Sequence, residues 1–331
     1  MRKPYLLLLL VLLLAATTHG QDKKGHVEKM DPALDAIIDA GATVDIIASG
    51  FEWSEGPQWV EKHQMLLFSD VPKNIIYKWT EKNGQEVYLT PSGYTGTIPR
   101  GGEIGSNGLI LNKTGQLVIC QDGDRRIAVM NADLAHPKPL FATITDNYKG
   151  KKFNSPNDMA YNSNGDLFFT DPPYGLEKNM DDPLKELPYQ GIFKVKKTGG
   201  IVLLTDSISR PNGIAITPDE KTMLIANSDP LKPYWYAFDF GAGDKLINAR
   251  IFYDASGAAK TAEGMPDGLK IDKKGNVFAT GPGGVWIFNK DGKVLGKIRF
   301  DGLTSNCALS ADEKTIYITA DMYVLRVKMR K

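Results

Sequence analysis

Six times along this chain an oxygen-bearing side chain sits one step ahead of a β-rich run. The steps are Glu55-Gly56-Pro57, Asn107-Gly108-Leu109, Asn157-Asp158-Met159, Asn212-Gly213-Ile214, Asp267-Gly268-Leu269 and Asn306-Cys307-Ala308. A period of about fifty residues marks a repeat architecture in which each unit is one supersecondary element. Within a unit the pattern is constant. In the second, residues 108–111, 116–120 and 126–130 read as three strands, separated by the turn clusters Lys113-Thr114-Gly115 and Asp122-Gly123-Asp124. Alternating β-branched and aromatic residues bounded by Gly, Asp and Asn are hairpin signals. Fourth strands fall between units, at 86–90, 139–144, 201–205, 250–253 and 293–300.

Four-stranded units repeated radially describe β-propeller blades. The expected fold is therefore all-β: a six-bladed β-propeller of four-stranded blades, spanning residues 43–331. The sixth blade has only three strands before the chain ends at Lys331. Residues 43–49, with their Val-Asp-Ile-Ile run, are expected to supply its outer strand and remove an open edge. Residues 21–42 read as an N-terminal extension, polar at first and helical in pattern over 33–38, packed outside the ring. On that reading, removal of residues 21–32 is expected to be nearly silent.

Residues 1–20 read as a cleaved signal peptide. Arg2 and Lys3 precede an unbroken apolar stretch from Leu6 to Leu14, too short to span a bilayer, and Thr18-His19-Gly20 forms a small-residue exit. No Cys follows the apolar stretch, so no lipoprotein anchor is expected. The mature chain is expected to be exported, periplasmic or secreted, with no membrane attachment after cleavage. A net charge of +1 without a Lys/Arg block argues against nucleic acid as a partner. Cys120 and Cys307 fall in units that are not neighbours, which favours two buried free thiols over a disulfide. Neither His63 nor His136 occupies the repeated position, so a His-ligated zinc site is not expected.

Equivalent positions of a propeller share a ring about its axis, so the six steps place Glu, Asn, Asn, Asn, Asp and Asn together. Oxygen ligands of this type suit a hard divalent cation. Glu55 and Asp267 balance a doubly charged ion, with Asn157 and Asn212 between them and positions left open for catalysis. Asn107 and Asn306 serve equally well as outer supports. Asn-Gly and Asp-Gly pairs are also ordinary turn dipeptides; their common register in the repeats is what favours the metal site. Second strands end near Asp70, Asp122, Asp171, Asn227 and Asp321, which reads as a second set of oxygen-bearing residues behind the first. No Ser-His-Asp order or Gly-x-Ser-x-Gly elbow is present, so a serine nucleophile has no support. The longest insertions, 94–105, 172–190 and 254–265, are expected to shape a pocket above the ring, where Tyr174 and Arg210 could meet substrate hydroxyls.

At these positions the chain resembles the senescence marker protein / gluconolactonase (regucalcin-like) family, nearest its bacterial gluconolactonase branch. The likeness is carried by Glu55-Gly56-Pro57-Gln58-Trp59, Asn154-Ser155-Pro156-Asn157-Asp158, Phe169-Thr170-Asp171-Pro172-Pro173-Tyr174-Gly175, Arg210-Pro211-Asn212-Gly213 and Pro266-Asp267-Gly268. The resemblance implies a six-bladed propeller whose central divalent ion is held by Glu55, Asn157, Asn212 and Asp267. It implies hydrolysis of small sugar lactones, with Asp267 as catalytic base. Asn107, Asp158, Asp171, Tyr174, Arg210 and Asn306 are the residues expected around substrate or behind the ligands. Calcium is the first choice of ion, with magnesium, manganese or zinc able to substitute, and a monomer or weak dimer is expected. Two readings stay open beside lactone hydrolysis: a phosphotriesterase-like hydrolase, and a non-catalytic propeller whose ion staples the blades while one face binds a glycan or protein.

Overall fold

The computed structural model describes residues 25–330; the segment read as a signal peptide lies outside the described residues. Among the described residues six antiparallel sheets of four or five strands follow one another along the chain, with one two-stranded hairpin, Asn147–Tyr148 and Lys151–Lys152, beside them. Blade one comprises Ser54–Val60, Met65–Asp70, Ile75–Thr80 and Gly84–Leu89; blade two Ser106–Leu111, Leu117–Gln121, Arg126–Met130 and Phe141–Thr145. Blade three runs Met159–Tyr161, Leu167–Asp171, Gly191–Val195 and Ile201–Thr205, and blade four Pro211–Ile216, Thr222–Asn227, Tyr234–Phe240 and Leu246–Asp254. Blade five holds Leu269–Ile271, Val277–Gly281, Gly284–Phe288 and Val294–Phe300, and blade six Asn306–Leu309, Thr315–Ala320 and Tyr323–Lys328. The first strand of each blade touches the first strands of its two neighbours, and blade six returns to blade one, so the six sheets form a closed six-bladed propeller.

Val44–Ser49 pairs antiparallel with Tyr323–Lys328 and gives blade six its fourth strand, as the sequence pattern required. The ring is thus closed by hydrogen bonds between the two ends of the chain.

Apolar residues collect at the seams between blades rather than at one centre. Each of the six buried clusters spans one pair of neighbours. Between blades three and four lie Phe168, Ile192, Ile214 and Ile225; between blades six and one, Phe51, Phe68, Tyr317 and Val324. Two-sided burial explains why second strands such as Leu117–Gln121 and Val277–Gly281 are buried at every residue. Their side chains alternate between two seams, so no solvent face exists to demand polar alternation. Cys120 and Cys307 sit in such seams as buried free thiols.

One expectation is overturned. Residues 25–29 do not lie outside the ring: Gly25–Lys29 pairs with Val294–Phe300 as a fifth strand of blade five. A single turn of 3-10 helix, Pro32–Ala36, follows, capped by the Asp31 carboxylate on the Ala33 amide at 2.8 Å. Leu34, Ile37 and Ile38 then enter the seam between blades five and six, beside Phe278, Ile298 and Val327. The strand escaped notice because Gly-His-Val-Glu-Lys carries one apolar residue, Val27, and so has no alternation to read. Its Glu28 instead pairs with Arg299 on the neighbouring strand, at 2.5 Å.

Burying a Leu or Ile side chain stabilises by about 1.5–3 kcal/mol, so Leu34, Ile37 and Ile38 make the extension part of the core. A chain starting at residue 43 should melt well below one starting at residue 25. A chain starting at residue 52, which also lacks the closing strand, should melt lower still or aggregate through the exposed edge. Equal melting temperatures for the three would refute both assignments.

Candidate functional site

Three of the six steps found in the sequence share one structural device. In blades one, two and four the pairing of first and second strands slips at the step, between Glu55 and Gln58, Ser106 and Leu109, and Pro211 and Ile214. Such bulges re-aim a side chain, and here they bring Glu55, Asn107 and Asn212 to one cavity. Four of the steps are followed by glycine, and at each the glycine meets a packing requirement; Gly56 in addition adopts φ +55°. A Cβ on Gly56 would lie 2.0 Å from the Asn107 carbonyl oxygen, one on Gly213 2.3 Å from that of Asp267, and one on Gly268 2.0 Å from Asn306 Cγ. At Gly56 and Gly213 backbone therefore passes directly against the backbone of the next blade, and at Gly268 against the Asn306 side chain. Hydroxyls on the second strands tie the same points together: Ser69 donates to the Asn107 carbonyl at 2.9 Å, Thr170 to that of Asn212 at 2.6 Å, and Thr280 to that of Ser305 at 2.7 Å.

A cavity of about 130 Å³ opens at this point, lined by Trp53, Glu55, Glu103, Asn107, Asn157, Tyr174, Asn212, Ser228, Met265 and Asp267. All four residues read as ligands are present. Each of the three long insertions contributes one side chain: Glu103 from 94–105, Tyr174 from 172–190 and Met265 from 254–265. Glu103, Trp53, Ser228 and Met265 were missed as individual residues. Glu103 and Met265 lie in insertions without repeat register, so only insertion length pointed toward them.

Several oxygens facing this region have no partner. Asn107 Oδ1, Asn157 Oδ1 and Asp267 Oδ1 are buried without a hydrogen bond. Asn212 donates its amide to Ser228 Oγ at 3.0 Å, and Ser228 Oγ donates onward to the Pro266 carbonyl at 2.7 Å, which fixes the amide with its oxygen on the other side. Asn107 likewise directs its Nδ2 to Asp122 at 3.4 Å. Buried oxygens are ordinarily hydrogen-bonded, so a convergent set left bare fits a hard cation.

The carboxylates register the same deficit. Burial pushes Glu55 up to about 8; nearby Asp158 adds to this, while the Gly56 amide, the Asn306 amide and Lys270 oppose it. Asp267 is raised well above the usual carboxylate range, first by burial and then by the negative charges of Glu55, Glu103 and Asp158. Glu103 is raised to about 7 by burial, and the Tyr174 phenol is raised by burial and by Asp267.

The remaining expected residues lie around the site rather than in it. Asp158 turns away from the cavity: its Oδ1 accepts from the Met159 amide, and its Oδ2 stands 3.6 Å from Lys270 Nζ. Asn306 accepts from Lys270 Nζ at 3.2 Å and from the Cys307 amide at 2.8 Å, and it does not line the cavity. Arg210 is not among the lining residues; its backbone amide donates to Asn227 Oδ1 at 2.9 Å. Asp171 accepts from the amides of Asn154 and Ser155, both at 2.9 Å. Asp70 receives those of Glu52 and Trp53 in the same way. The second set of oxygens is thus not a backing layer of ligands in blades one, three and four: it braces the backbone two and three residues ahead of the step.

Residues 53–321 match the SMP-30/Gluconolactonase/LRE-like region. The chain belongs to this family. Over 316 residues it is 40% identical to a gluconolactonase of Zymomonas mobilis, covering 92% of this chain and 86% of that one. It is 22% identical over 280 residues to a pentonolactonase of Haloferax volcanii, covering 83% of each. Among solved structures, a gluconolactonase of Xanthomonas campestris superposes with a TM-score of 0.79 at 26% identity, over 93% of this chain and 97% of that one. The family match runs from blade one to the second strand of blade six, and two of the three bare oxygens, those of Asn157 and Asp267, fall on residues that carried the sequence resemblance.

A pH prediction follows. Glu55 and Asp267 hold protons more tightly in the folded state than in the unfolded one, so folding takes up protons and stability falls as pH rises. In excess chelator the melting temperature should decline from about pH 4.5, the ordinary value for Glu55, to about pH 8, its folded value. Added divalent cation should reduce that slope, because it replaces the protons. A flat melting curve across this range in chelator would contradict the arrangement.

Proposed function

We propose that this chain hydrolyses small sugar lactones of the gluconolactone type and that it does so with a divalent cation held by Glu55, Asn157, Asn212 and Asp267. The observation that carries the reading is the convergence of these four side chains on one cavity, two of them with buried oxygens that lack any hydrogen bond. Calcium is the preferred ion, since the donor set is oxygen alone and mixes two carboxylates with amides. A cation bound there would polarise the lactone carbonyl and stabilise the charge that develops on its oxygen.

The chain's own residues do the rest. Asp267 takes a proton from the attacking water: it lines the cavity, and its buried Oδ1 has no hydrogen-bond partner. Positioned general bases of this kind contribute about 10²–10⁴-fold. Ser228 and Asp122 hold the amides of Asn212 and Asn107 in orientation. Tyr174, fixed on its insertion and facing the cavity, is placed to meet a sugar hydroxyl. The small volume, about 130 Å³, suits a single lactone ring rather than an extended chain.

Chelation followed by dialysis should abolish turnover in a panel of lactones read by pH-stat, and the melting temperature should drop with it. Asn212→Ala should weaken cation affinity by at least about 10-fold. Asp267→Asn keeps an oxygen but cannot accept a proton near neutrality, so it should lower kcat by about 10²–10⁴-fold at saturating cation. Full activity after chelation would refute the metal. Phosphotriester turnover without lactone turnover would move the assignment to that class, and neither activity would leave a binding propeller.

A further inference from the structure

The insertion at residues 94–105 is anchored along its length. Asn74 Oδ1 accepts the amides of Gly93 at 2.7 Å and Tyr94 at 3.1 Å where it begins, and the Gly105 amide donates to the Val71 carbonyl at 2.8 Å where it ends. In between, Arg100 donates to the carbonyls of Gly123, at 2.6 Å, and Gly175, and so ties the insertion to blades two and three. It also lies tight on residues 174–177: a Cβ at Gly102, whose φ is +86°, would come 3.1 Å from the Glu177 amide nitrogen. The Glu103 amide faces the Tyr174 carbonyl at 3.4 Å. These contacts point one side chain, Glu103, into the cavity that Asp267 enters from blade five. The Glu103 carboxyl makes no hydrogen bond or ion pair with any described residue, and it is not part of the six-fold ring.

We propose that Glu103 is the general acid of the reaction, donating a proton to the ring oxygen that leaves when the lactone opens. This rests on the lactonase reading above. Water attacks the carbonyl carbon as its proton passes to Asp267. The bond between that carbon and the ring oxygen then breaks, its electron pair stays on the ring oxygen, and the Glu103 proton completes the hydroxyl. The product is a hydroxy acid, which ionises; the proton on Asp267 is lost to solvent and one returns to Glu103. No oxidant or further reactant is needed. An aliphatic alkoxide leaves poorly without a proton, and the chain offers few other donors here. Tyr174 holds its proton too firmly, being raised by burial, and the carboxamides of Asn107 and Asn212 are not acids. Burial favours the protonated form of Glu103.

The test separates leaving groups. Glu103→Gln keeps the shape but cannot donate as an acid. With cation present, its kcat on a sugar γ-lactone should fall about 10²–10⁴-fold. On dihydrocoumarin, whose phenolate leaves without protonation, it should stay near that of the unaltered protein. Asp267→Asn should lose both substrates together, because attack precedes departure in each. Glu103→Asp retains an acid and should recover part of the sugar-lactone turnover that Glu103→Gln loses, with melting temperatures checking that each variant is folded. Unimpaired sugar-lactone turnover by Glu103→Gln, or equal loss on both substrates, overturns the assignment. If the unaltered protein opens neither lactone, the lactonase reading itself fails and this role falls with it.

Discussion

Everything in this structure depends on how closely six inner strands can approach one axis. At Gly56, Gly213 and Gly268 the next blade's backbone or side chain occupies the space a Cβ would need. That contact sets the diameter of the ring, and the diameter decides whether side chains from opposite blades can converge on one small cavity. A methyl group at any of these points would push two blades apart and spread the oxygens of Glu55, Asn157, Asn212 and Asp267. The same residues that read in sequence as turn dipeptides are therefore what makes the centre narrow enough to hold an ion. Ser69, Thr170 and Thr280 reinforce the approach from the second strands, each bonding to a neighbouring blade.

Narrowness concentrates negative charge. Glu55, Asp158, Asp267, Glu103 and Asp122 lie near enough to influence one another, and burial raises Glu55, Asp267, Glu103 and Asp122 above ordinary values. Lys270 answers part of this from below, contacting Asp158 and Asn306. The remainder is left for protons or a cation. Buried like charges are costly unless compensated, so the centre trades stability for an arrangement that is complete only when occupied. The mechanical skeleton is kept separate from this trade. It resides in the apolar seams, which carry no charge and would hold the blades in register whichever ion is bound.

Much of this was legible in the sequence, for a reason that particular residues make plain. Period exposes whatever is repeated. The blade scheme and the incomplete sixth blade were read correctly, including the pairing of residues 44–49 with the last strand, and of the six register positions all but Asn306 line the cavity. What period cannot expose is direction. Asp70, Asp171 and Asn227 recur at the ends of second strands, yet they turn to the backbone amides ahead of each step rather than to the cavity. Features that occur once were invisible. Gly25–Lys29 has no apolar alternation, because a strand added to a blade's outer edge needs little apolar surface; Glu103 and Met265 ride on insertions that have no counterpart in the other blades. Arg210 was expected beside substrate hydroxyls, but it is not among the residues that line the cavity.

The woven ends have a consequence for the order of events during synthesis. Val44–Ser49 emerges from the ribosome among the first residues of the ring, but its partner, Tyr323–Lys328, is among the last. Gly25–Lys29 waits nearly as long for Val294–Phe300. Blades one to four can form as their residues appear, since each is a local meander of low contact order. The amino-terminal segment must meanwhile remain unpaired, with Leu34, Ile37 and Ile38 uncovered, while nearly the whole chain is made. Closure therefore comes late and completes two blades, and until it happens the nascent protein is an open arc with a sticky tail.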